Sequence, residues 1–179
     1  MNDRETVTTL GTLRYLHDRS AEMADAAMAT LGDGEAARLV AGFRDEHARR
    51  SEELAGMLSR MGAASASPPP GFGELEREHL RLVREAGRRD EALEALLLME
   101  EVAAAQYGLA SAMELPEELA STVREHLASE QWHVSALADR IGTLPIEVAG
   151  GGVSTDHLYV DDRNPDDFDS TPEGLSHSH

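Results

Sequence analysis

The sequence predicts an all-α protein, a four-helix bundle of two helical hairpins joined by a crossover that contains a short extra helix. Three observations lead there. Apolar residues recur at three- and four-residue spacing through four long stretches. Aromatic residues are only 4% of the 179 residues while Ala, Leu and Met abound, which favours interhelical packing over a β-rich core. The breakers fall between the periodic stretches, at Gly32-Asp33-Gly34, Pro68-Pro69-Pro70 and Pro116.

Taken in order, the first helix runs from about Thr6 to Leu31 with Val7, Leu10, Leu13, Ala24, Met28 and Leu31 on one face. Asp33 is suited to cap a second helix that turns Leu39, Phe43, Leu54, Met57 and Met61 inward and ends near Gly62. The proline triplet between Ala63 and Gly73 cannot continue a helix and predicts an extended crossover, followed by a short amphipathic helix from about Glu74 to Glu85. Asp90 reads as the N-cap of a third long helix carrying Leu93, Leu96, Leu97, Tyr107 and Ala110 to about Met113. Pro116, with Glu117 and Glu118 at the positive end of the dipole, opens a fourth through Val123, Leu137 and Ile141. Residues 1–143 form the expected bundle. From 144 to 179 the composition changes to Gly150-Gly151-Gly152, Asn164-Pro165 and eight acidic residues against one Arg, which predicts a flexible acidic tail with room for a docking partner.

Composition then narrows the chemistry. With no cysteine there are no disulfides, thiolate metal sites, iron–sulfur clusters or cysteine nucleophiles, so any metal must be held by His, Asp or Glu. The formal charge of −18, with Arg as the sole Lys/Arg-type cation, repels nucleic acid and anionic membrane and suits cationic partners. The first residues lack a basic and apolar leader, and no stretch reaches the roughly 20 apolar residues of a membrane span, so a cytoplasmic protein is expected. A strand-borne phosphate loop, a Gly-x-Ser-x-Gly elbow and basic-aromatic patches are all missing.

The polar residues on the inward faces carry the functional signal. Counting roughly 100° per residue, the first helix turns Leu10, Leu13, His17 and Ala24 inward and the third turns Leu93, Leu96, Glu100 and Tyr107 inward at the same offsets. The second is read through Leu39, Glu46, Glu53 and Met57, and the fourth through Val123, His126, Glu130, His133, Leu137 and Ile141. On this reading His17 corresponds to Glu100, Glu46 to Glu130, and Arg49 to His133. His17 and Glu46 are 29 residues apart, Glu100 and Glu130 are 30 apart. Glu130-x-x-His133 sets two ligands on one face of one helix. The candidate metal ligands are Glu100, Glu130, His133, Glu46, His126 and His17. His47, about 100° from Glu46, and His79 are expected at the surface, and Trp132 is expected to border the site and pack against the first helix or the crossover.

These residues resemble the ferritin-like superfamily, the rubrerythrin and bacterioferritin relatives with a dinuclear iron or manganese site inside a four-helix bundle. The resemblance covers roughly residues 5 to 143 and rests on Glu46, on Glu100 with Tyr107 seven residues later, and on Glu130 with His133. It implies one Glu from each of the first and third helices and a Glu-x-x-His from each of the others. The chain departs at His17, where the family has Glu, and at Arg49, where it has His. Two divalent ions need about four carboxylates, and three are offered beside a guanidinium that cannot deprotonate.

Two functions therefore stand side by side. One is a metal-binding bundle for iron, or for manganese or zinc, with oxidase or peroxide-handling activity in stress or iron homeostasis, and with a homodimer as the expected assembly. The other is a non-catalytic, degenerate ferritin-like scaffold acting through oligomerisation or its tail, in which Arg49 or Arg50 pairs with Glu46 or Glu53 and no metal is needed.

Overall fold

The computed structural model describes residues 3–63 and 72–141; the expected crossover around the proline triplet and the expected acidic tail lie outside them. The described residues are all-α, with five helices and no strand: α1 (Asp3–Leu31), α2 (Glu35–Arg60), α3 (Phe72–Glu85), α4 (Arg89–Ser111) and α5 (Glu117–Ile141). None is long and apolar enough to cross a membrane. α1 pairs with α2 and α4 with α5, α1 also packs on α4, and α3 lies against α1 and α4.

The helix ends follow local chemistry, with two shifts from expectation. The N-cap of α2 is Gly34, not Asp33, in extended backbone and without a side-chain cap. The N-cap of α4 is Arg88, not Asp90, because Glu91 reaches back so that its Oε2 accepts from the Gly87 and Arg88 amides at 2.9 and 3.1 Å. α2 stops in a Schellman turn: the Ala63 amide donates to the Leu58 carbonyl at 2.9 Å, and Gly62 takes φ 75°, a conformation that side chains with a Cβ resist.

Burial divides the interior into two apolar clusters. One gathers Leu16, Met23, Val40, Phe43, Leu93, Leu96, Met99 and Leu137, and the other Leu10, Leu13, Leu54, Met57, Tyr107 and Val123. Along α2, α4 and α5 the chain passes from one cluster to the other, and at each passage it carries buried polar residues: His47 and Arg50, Glu100, and Glu130 with His133. A polar layer is thus set between two oily ones, with His17 added from α1. Desolvating so many charged or chargeable groups is costly unless they partner one another or an ion.

Candidate metal centre

The rotation of α2 determines which of its side chains reach this layer. Val40, His47 and Leu54, spaced by seven, are each 0% exposed, whereas Glu46 is 24% and Glu53 39% exposed at the side chain. His47 is therefore interior, not at the surface as the one-residue-offset face had suggested. The same rotation corrects the arginine: Arg50 is buried at 4%, while Arg49 is 65% exposed beside Glu53. Met61, expected inward, is exposed at the end of the helix, and His79, expected at the surface, is buried on α3. Trp132, expected against the first helix or the crossover, is half-exposed and packs edge-on against Phe43 of α2.

Four buried residues bring ligand atoms within 4.8 Å of one another: His47 from α2, Glu100 from α4, and Glu130 and His133 from α5. Glu100 lies between the imidazoles, with its Oε1 3.1 Å from His47 Nε2 and its Oε2 3.2 Å from His133 Nδ1. Ligand atoms about 2.1 Å from a four-coordinate ion lie about 3.4 Å apart, so small side-chain adjustments bring this donor set around one ion. The other nitrogen of each imidazole already has a partner. His133 Nε2 is 3.1 Å from Glu46 Oε2, and His47 Nδ1 is 2.9 Å from His17 Nδ1. A ring held in this way at one nitrogen presents the other to an ion in a fixed orientation.

Glu130 is the unsatisfied member. Its Oε1 has Arg50 Nη1 at 3.5 Å, while its Oε2 is buried with no hydrogen-bond partner. Arg50 also pairs with Glu46 Oε1 at 2.5 Å and donates to the His126 carbonyl at 3.2 Å, which anchors the guanidinium between α2 and α5. Burial, reinforced by the Glu100 charge, pushes the Glu130 carboxyl well above its usual range. Burial would raise Glu100 too, but His47 and His133 hold it well below that range. Burial would depress His47, yet the Glu100 and Glu130 carboxylates raise it. Burial, with His47 and His126 nearby, keeps His17 well below its ordinary value and so neutral.

The six residues singled out in the sequence divide by position. Glu100, Glu130 and His133 converge, and Glu46 stands one bond further out, against His133. His17 and His126 are buried on either side of the Tyr107 hydroxyl, at 2.6 and 2.9 Å, and His17 Nδ1 is 3.8 Å from Glu130 Oε1, at the edge of the convergent group. His47 joins the convergent group in place of Glu46. The repeat between the hairpins contains the signal for it: His17 and His47 are 30 residues apart, as Glu100 and Glu130 are, and Val40, His47, Arg50 and Leu54 then match Val123, Glu130, His133 and Leu137 in one register. Arg50 thus occupies the place equivalent to His133.

Comparison with family models, with curated protein sequences and with solved structures finds no match to this chain.

Proposed function

We propose that this chain is a ferritin-like four-helix bundle, formed by α1, α2, α4 and α5, that holds a single divalent transition-metal ion between His47, Glu100, Glu130 and His133. The observation that carries the reading is Glu130: one of its oxygens lies within 4.8 Å of ligand atoms from three other buried residues, and its buried Oε2 has no hydrogen-bond partner. Such an atom costs about 1–3 kcal/mol when nothing meets it, and a cation there removes the penalty. Two carboxylates balance the charge of one divalent ion, and Arg50 with Glu46 forms a neutral pair beside it. A second ion is disfavoured because the Arg50 guanidinium takes the place where the repeat would put another ligand. Two imidazoles with two carboxylates suit Fe(II), Mn(II) or Zn(II). Iron bound there would supply one-electron chemistry toward oxygen or peroxide, the activity the ferritin-like resemblance implies. This chain's residues provide the donors, fix the imidazole orientations through Glu46 and His17, and exclude water by full burial.

The second reading, a metal-free scaffold, is favoured by the contacts of Arg50 with both Glu46 and Glu130. Elemental analysis separates the two. Protein prepared without chelator is expected to contain close to one metal ion per chain, and Glu130→Ala/His133→Ala close to none. Metal-free wild-type protein that gains no thermal stability from Fe(II), Mn(II) or Zn(II) would establish the scaffold.

A further inference from the structure

From the inner imidazole a single hydrogen-bonded chain leads to the surface: His47 Nδ1 to His17 Nδ1 at 2.9 Å, His17 Nε2 to Tyr107 Oη at 2.6 Å, Tyr107 Oη to His126 Nδ1 at 2.9 Å, and His126 Nε2 to Glu53 Oε2 at 3.3 Å. It draws on four helices. Every interior member offers one atom to each neighbour, so the donors must all point the same way along the chain. Both ends choose that direction. A carboxylate at the outer end only accepts, which places the proton of His126 on Nε2, leaves Nδ1 to accept from Tyr107, and makes Tyr107 accept from His17. At the inner end a metal ligand needs a bare Nε2 on His47, which leaves the proton on Nδ1, directed at His17.

We propose that His17, Tyr107, His126 and Glu53 form an outward-donating chain that sets the tautomer of His47 and so positions its Nε2 for the metal, with the exposed Glu53 as the anchor. The inference rests on the metal-binding reading above. These are positioning residues: none is among the converging ligands, and Glu53 acts across four hydrogen bonds. Burial raises the Tyr107 hydroxyl well above its ordinary value, which keeps its proton available to the chain. Arg49, 3.9 Å from Glu53, adds positive charge on the solvent side of the anchor.

Zn(II) is a suitable probe because it is diamagnetic and redox-inert. Its affinity is measured by competition with a chromophoric chelator in the full chain, and the His47 tautomer is read from nitrogen-15 shifts. Wild type is expected to show Nδ1-protonated His47. Tyr107→Phe should lose about tenfold or more in affinity, the range found when a partner outside the ligand set is removed. Glu53→Leu should lose a similar factor and mix the tautomers, and Glu53→Gln, whose amide oxygen still accepts, should restore much of both. Since Glu53 is 39% exposed, its variants fold even if Tyr107→Phe does not. Unchanged Zn(II) affinity and tautomer in Glu53→Leu would overturn the chain while leaving the metal site standing. Wild type that binds no Zn(II) would instead remove the reading on which the chain rests.

Discussion

The two hairpins meet the polar layer with matching geometry and opposite charge. α4 and α5 bring Glu100, Glu130 and His133; at the equivalent positions α1 and α2 bring His17, His47 and Arg50. Each half brings its inner pair close, His17 and His47 at 2.9 Å and Glu100 and Glu130 with oxygens within 4.8 Å, and each sets a second polar residue three positions after the first on the later helix. Had both halves carried the carboxylates of the second, four buried negative charges would need two divalent ions. With imidazoles and a guanidinium in the first, the layer approaches neutrality with one ion or with a few protons. An internal repeat can thus keep its packing while the two copies differ in charge, one bringing both carboxylates of the convergent group with His133, the other bringing His47 to that group together with the cationic Arg50 and the orienting His17.

Truncating equivalent positions in the two hairpins should give the largest contrast. Glu100→Ala should abolish metal binding, with metal per chain falling to background in elemental analysis, because the residue between both imidazoles is gone. His17→Ala should only weaken Zn(II) binding, by about tenfold, since it removes a hydrogen-bond partner and not a ligand. Equal losses would show that the halves are not divided in role. His47→Glu/Arg50→His copies the α5 motif onto α2, and this variant should take up about two ions per chain instead of one. A stoichiometry that stays at one would mean that Arg50 is not what excludes the second ion.

A smaller effect follows from Glu130. Its raised value in the metal-free fold means that protonated Glu130 favours folding below the ordinary carboxyl range, and that this contribution is lost as pH rises through the raised value. A metal replaces that proton, so the rise in melting temperature caused by Zn(II) should grow from acid to neutral pH. A shift that is flat across that range would detach Glu130 from the ion. Smallest of all is the change expected outside the layer. Glu35→Ala removes the exposed pair that joins α2 to Arg140 of α5 at 2.5 Å, and urea unfolding should register no more than about 0.5 kcal/mol.

Much of this was legible in the residues. Glu130-x-x-His133 and Glu100 were readable because the flanking apolar residues of α4 and α5 leave only one face for the interior. α2 was harder. Glu46 and His47 are adjacent, both can bind metals, and Leu39 and Val40 give each face an apolar flank, so a preference for carboxylates turned the helix by one residue. Requiring one register for the whole repeat, with Val40 opposite Val123 and Leu54 opposite Leu137, selects His47 and Arg50.

Helix content, the positions of the breaks and the demand for a buried polar layer follow from local residue chemistry, because periodicity, proline and glycine act within a few residues of themselves. The rotation of α2 and the partner of each nitrogen depend instead on long-range packing. A rotation of about 100° exchanges Glu46 for His47 at almost no local cost, and the choice is made by packing against α1 and by contacts with α4 and α5 that are distant in sequence.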